Sequence, residues 1–138
     1  MLDLACHIAT WSKDPSTKVG AAIADSQHRI VSTGFNGFPR GIRDELKILV
    51  QRTFKLALTI HAEENAILFA TKALDGCTIY VSAPPCARCA AKIIQTGIGR
   101  VVSKRPSAEL TARWGDEFKL ADSLYEQAGI VVDFEGEM

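Results

Sequence analysis

The chain has 138 residues, 47% of them apolar and 23% charged, which suits one globular domain over residues 1–138 with a substantial core. Lysine plus arginine (16) equals aspartate plus glutamate (16), so no global positive field exists and no long nucleic acid is expected as a partner. The start Met1-Leu2-Asp3-Leu4 lacks the basic residues and apolar run of a signal peptide, and no stretch reaches membrane-spanning length; a cytoplasmic protein without a membrane partner is expected.

In chain order, residues 1–12 read as a helix, with Leu4, Ile8 and Trp11 at helical spacing, and residues 13–17 break it. Residues 19–24 and 29–33 read as strands joined by the polar turn Asp25-Ser26-Gln27, hence an antiparallel pair. Residues 34–41, rich in glycine with Pro39, form a loop. A helix is predicted over residues 44–58. Its apolar residues Leu46, Ile48, Leu49, Val50, Phe54, Leu56 and Leu58 spread around most of the circumference, so burial on more than one side is expected, in the core or against a partner subunit.

The remainder alternates. A helix over residues 62–73 stops at Asp75-Gly76, a strand covers 78–82, and a helix over 86–95 ends at Gly97. A strand over 100–103, a helix over 116–127 capped by Gly129 and a strand over 130–134 complete the chain. This alternation predicts parallel strands joined by right-handed crossovers, so the class is α/β, with a hairpin feeding a mixed sheet covered by helices on both faces.

The chemistry concentrates in His61-Ala62-Glu63 and Pro85-Cys86-Ala87-Arg88-Cys89. One imidazole and two thiolates can hold zinc and leave a fourth position for water, the logic of a catalytic rather than a structural site. H-x-E with P-C-x-x-C is the pattern of zinc-dependent nucleobase deaminases, in which the glutamate shuttles protons. His61 and Cys86 fall at predicted helix starts, where the helix dipole favours a thiolate. A thiol–disulfide pair would need neither His61 nor Glu63. A closed structural site would need a fourth ligand, and neither His7 nor His28 has a spacing that recommends it. Cys6 and Cys77 read as small buried hydrophobes, and Glu64 as a solvated charge in a first helical turn.

The stretches Asp14-Pro15-Ser16-Thr17-Lys18-Val19-Gly20-Ala21, Gly34-Phe35-Asn36-Gly37-Phe38-Pro39-Arg40-Gly41, His61-Ala62-Glu63-Glu64-Asn65-Ala66-Ile67 and Pro85-Cys86-Ala87-Arg88-Cys89-Ala90 together resemble the deoxycytidylate deaminase family, over about residues 1–103. The resemblance implies a three-layer α/β/α sandwich on a five-stranded mixed sheet, the cytidine deaminase-like fold. It implies one Zn2+ ion per subunit on His61, Cys86 and Cys89, with Glu63 as proton shuttle. It also places Asn36 at the sugar, with Gly37 giving a tight backbone, and the backbone at Ala62 and Pro85 at the base. From spacing alone, Asn36 reads equally as a turn residue.

Family members are commonly hexamers, activated by deoxycytidine triphosphate (dCTP) and inhibited by thymidine triphosphate (dTTP). By resemblance, an effector loop at Asn36, Gly37, Phe38, Pro39 and Arg40 and a homo-oligomer, hexamer or dimer, are expected. Residues 45–59 depart from the family in lacking the cysteines and histidines of a second zinc site, and residues 104–138 match loosely.

Ser12, Lys13, Ser16, Thr17 and Lys18 form a polar, basic loop whose side chains or amides suit a monophosphate, although surface lysines are commonly just solvated. Phe38, Trp114 and Tyr125 read as packing residues before base-stacking ones. The expected reaction is hydrolysis of deoxycytidylate (dCMP) to deoxyuridylate (dUMP) and ammonia. The alternatives are a 5-modified dCMP, dCTP or a base in transfer RNA, and from another class a non-catalytic nucleotide-binding subunit.

Overall fold

The first hairpin pairs β1 (Gly20–Ala24) with β2 (Ile30–Phe35) antiparallel, as the turn chemistry predicts. Its turn is fastened by Asp25, whose carboxylate accepts the amides of Gln27 and Arg29 at 3.0 and 2.9 Å. These coordinates form a computed structural model that describes the backbone of residues 1–138 and every side chain except those of Leu46 and Leu49.

Three further strands, β3 (Thr78–Val81), β4 (Arg100–Arg105) and β5 (Val131–Glu137), extend the sheet in the order β2-β1-β3-β4-β5. β3 runs antiparallel to β1, and β3, β4 and β5 run parallel to one another, so the sheet is mixed and five-stranded as expected. The period-2 alternation of strands sorts the core into two layers. Ala21, Ile23, Ile79, Val81 and Val101 meet helices α4 (Ala62–Leu68), α5 (Ala87–Gln95) and α6 (Ala108–Ala128). Ala24, Tyr80 and Val102 meet α1 (Leu2–Ala9). The α/β/α sandwich is therefore present, and among the described residues no helix is long and apolar enough to cross a membrane.

Two glycines let helices lie directly on the hairpin. A Cβ on Gly20 would stand 2.1 Å from the Ala5 carbonyl oxygen of α1, and one on Gly34 would stand 2.4 Å from the Ala62 oxygen of α4. Gly37 is different: a Cβ there meets nothing within 4 Å and its φ is not positive, so the tight backbone expected of it is not needed. Gly34→Ala should lower the thermal melting point by several degrees, since overpacking typically costs about 1–3 kcal/mol. Gly37→Ala should melt within about a degree of the parent, as open surface sites do. Equal melting points for the two variants would contradict this packing.

The helix predicted over residues 44–58 is two short ones, α2 (Leu46–Leu49) and α3 (Arg52–Leu58), split at an extended Gln51 (φ −83°, ψ 98°). Burial on more than one side is also wrong within this chain: α3 buries none of its residues, and Val50, Phe54 and Leu56 are 63%, 58% and 50% exposed. Apolar residues all round so short a helix offer no stripe for one sheet to cover. Conversely, α6 starts at Ala108, not 116. Ser107 caps it by accepting the Leu110 amide at 3.2 Å, and the helix continues through Gly115. α4 ends at Leu68, short of the predicted 73.

Candidate metal centre and adjoining pocket

Each metal-ligand candidate sits where a helix starts. His61 is the extended N-cap of α4 (φ −71°, ψ 158°), and Cys86 is the extended N-cap of α5 (φ −72°, ψ 168°). A two-way backbone bridge between Gly37 and Ile60 (3.1 and 2.8 Å) fixes the approach to His61. His61 Nδ1 lies 3.5 Å from Cys86 Sγ and 3.3 Å from Cys89 Sγ, and the three ligand atoms all lie within 4.8 Å of one another. Zinc bonds of about 2.0 Å to nitrogen and 2.3 Å to sulfur at a tetrahedral angle separate the donors by about 3.5 Å, so this donor set fits zinc. Among the described residues no other group of three such side chains converges, and neither His7 nor His28 joins this one. All four cysteines are free; Cys77 is buried as expected, whereas Cys6 is only half-buried.

Glu63 follows on the first turn of α4 and is 3% exposed. Burial pushes its carboxyl above the ordinary carboxylate range, against the pull of the His61 charge. A hydrogen bond to Cys86 raises His61. The Cys86 thiol is lowered to about 4, chiefly by its hydrogen bond with Cys89, while that bond and burial raise Cys89. Two adjacent thiols that retain one proton are arranged to release it to a cation.

Glu64 is not the solvated charge expected. Its Oε2 accepts the His61 amide at 3.0 Å and its Oε1 pairs with Lys92, so it caps α4 and ties it to α5. Glu117, which no sequence signal marked, accepts the Ala87 amide at 3.4 Å and supplies the start of α5 with the side-chain cap that Cys86 does not make.

A cavity of 390 Å³ opens beside this centre. His61, Ala62, Glu63 and Cys86 line it, joined by Asn36, Ser16, Thr17, Ala83 and Pro84. α3 adds Arg52, Lys55 and Leu56, and α6 adds Leu110, Arg113, Trp114 and Phe118. Trp114 thus lines the cavity, half-buried. Tyr125 is core, 2% exposed. Pro85 lines a separate 90 Å³ cavity, so Ala83 and Pro84, not Pro85, border the larger one.

Asn36 is both brace and wall. Its Oδ1 accepts the Val19 amide at 2.8 Å and its Nδ2 donates to the Thr17 carbonyl at 2.8 Å, which leaves one N–H and one lone pair. Of the remaining loop, Gly37, Phe38, Pro39 and Arg40 stay off the cavity wall, with Arg40 over the Phe69 ring at 5.8 Å. Ser16 and Thr17 line the cavity, but Asp14 Oδ1 takes their amides at 2.7 and 3.0 Å, so those amides do not face a ligand. Lys13 and Lys18 lie off the wall, and Lys13 pairs with Asp44 at 3.0 Å.

The family described as "Cytidine and deoxycytidylate deaminase zinc-binding region" matches residues 1–104. The chain is 48% identical over 125 residues to an uncharacterized deaminase in the luxG 3' region of Aliivibrio fischeri, covering 91% of this chain and 84% of that one. It is 38% identical over 142 residues to deoxycytidylate deaminase of Mus musculus, covering 92% of this chain and 79% of that one. The crystal structure of dCMP deaminase from cyanophage S-TIM5 with dCMP and dUMP superposes at a TM-score of 0.74 and 23% identity over 98% of this chain and 92% of that chain, a likeness of fold. With the His61, Cys86 and Cys89 donors in place beside Glu63, the chain belongs to the cytidine and deoxycytidylate deaminase zinc-binding family and is a zinc-dependent deaminase.

Proposed function

We propose that this protein hydrolyses dCMP to dUMP and ammonia, with residues 1–138 acting as one deaminase domain. The observation that carries this reading is the buried Glu63 beside the three-donor centre, on the wall of a 390 Å³ cavity of nucleotide scale. Relatives named deoxycytidylate deaminase at 36–38% identity support the substrate.

His61 Nδ1, Cys86 Sγ and Cys89 Sγ would hold the metal. When bound, zinc supplies a Lewis acid that makes water a nucleophile near neutral pH. Glu63 takes a proton from the attacking water, delivers one to ring N3, and passes another to the departing amine. Water adds at C4 and the C4–N4 bond breaks, so one water enters and one ammonia leaves. A carboxyl whose pKa burial has raised suits this exchange, because it holds a proton taken from water more firmly than an exposed carboxylate would. Asn36, with its remaining N–H and lone pair, faces the sugar. Ala62 and Pro84 border the base.

Cytoplasmic action as a homo-oligomer, hexamer or dimer, with dCTP and dTTP as effectors at the Asn36–Arg40 loop, accompanies this reading. The exposed Val50, Phe54 and Leu56 favour a subunit contact. Ammonia release should be measured from dCMP, 5-methyl-dCMP, dCTP, deoxycytidine and a transfer RNA. The highest kcat/KM is expected for dCMP, and release from the RNA alone would overturn the proposal.

A further inference from the structure

We infer that Arg113, held beside the Thr17 hydroxyl, reads the substrate's phosphate and makes the cavity select nucleotides over nucleosides. This rests on the deaminase reading and assigns the group that meets the anionic end of the substrate.

Three cationic side chains line the cavity: Arg52, Lys55 and Arg113. Lys55 is engaged, 2.7 Å from Asp14 with both side chains largely covered. That pair fixes the loop, since the same Asp14 oxygen holds the Ser16 and Thr17 amides. Arg52 and Arg113 have no carboxylate within 4.0 Å among the described residues. Two solvent-exposed guanidinium groups without a carboxylate partner thus stand on the cavity wall.

Of these two, Arg113 has a fixed neighbour. Its Nη2 donates to Thr17 Oγ1 at 3.4 Å, a long contact that leaves its other N–H groups available. Thr17 is itself held at both ends, its amide by Asp14 and its carbonyl by the Nδ2 of Asn36. The guanidinium and hydroxyl thus stand next to the side chain assigned to the sugar, where a 5'-phosphate would follow. A guanidinium matches two phosphate oxygens at once, and the hydroxyl supplies a further donor. Arg113 also rides on the 21-residue α6, a firmer platform than the 7-residue α3 that carries Arg52. The residue lies beyond the segment 1–104 that matches the family, so chemistry and phosphate reading come from different parts of the chain.

The test is steady-state ammonia release by the parent, Arg113→Ala and Arg113→Lys, each loaded with zinc, from dCMP and deoxycytidine. The ratio of kcat/KM for dCMP to that for deoxycytidine should fall on the order of 10- to 100-fold in Arg113→Ala, through KM, as expected for charged hydrogen bonds. Arg113→Lys should recover part of it, and the inhibition constant of dUMP should rise by a similar factor. An unchanged ratio, with both substrates lost equally or neither affected, overturns the assignment. No ammonia from dCMP with the parent enzyme would instead overturn the deaminase reading beneath it.

Discussion

Glu63→Gln should bind zinc and fold as the parent does, yet lose kcat by about a hundred- to ten-thousand-fold, the usual contribution of a positioned general acid–base. Glutamine keeps the shape of a side chain that is 3% exposed at the start of α4, but it cannot carry a proton between water, ring and leaving amine. The same substitution should not cost stability in the metal-free protein. Burial raises the Glu63 pKa, so the folded chain holds that proton more tightly than the unfolded chain. Below the ordinary carboxylate range both states are protonated and no penalty exists. As the pH climbs through that range the unfolded chain ionises first, and stability falls until the pH passes the raised folded value. Glu63→Gln removes this fall. Urea unfolding across a pH series should therefore show the metal-free variant at least as stable as the parent at neutral pH, while ammonia release shows it nearly inactive. Parental turnover in this variant would refute the proton-shuttle role.

The sheet and the helices bearing the ligands were legible because their signals are local. Strand alternation and the left-handed stops at Gly97 (φ 85°) and Gly129 (φ 72°) need no tertiary information. What escaped depended on contacts distant in sequence. Trp114 and Gly115 gave no sign that α6 begins at Ala108, because a glycine inside a helix looks like an end until packing decides. Glu63 and Glu64 are chemically alike in sequence; only the placement of α5 turns one into the cavity and makes the other a cap paired with Lys92. The basic loop is divided for a related reason: Ser16 and Thr17 line the cavity, while Lys13 and Lys18 do not. Lys13 and Lys18 were near Thr17 in the chain, but the cation that reaches Thr17 is 96 residues away. Pro85 is adjacent to a ligand in sequence, yet it lines the smaller cavity, and Pro84 borders both.

Removing one donor should test the metal centre most directly. Cys89 is 1% exposed and Cys86 8%, and with one imidazole they make a site whose two thiolates balance the charge of zinc. In the metal-free chain the two sulfurs hold a shared proton, with Cys86 lowered to about 4 and Cys89 raised, so zinc must displace it and binding should weaken as the pH falls. The folded chain brings Cys86 and Cys89, 25 and 28 residues from His61 in sequence, to that imidazole, an arrangement the unfolded chain does not offer. Zinc should accordingly stabilise the fold by about 4 kcal/mol at a free concentration a thousandfold above its dissociation constant. That corresponds to a rise in melting temperature on the order of ten degrees. Cys89→Ala should abolish both the shift and the stoichiometric zinc measured by elemental analysis, and reduce ammonia release to background. The chelated parent should melt close to this variant, because both lack the same cross-link between α4 and α5. Full zinc content in Cys89→Ala would mean that another donor completes the site, and the centre of His61, Cys86 and Cys89 would have to be abandoned.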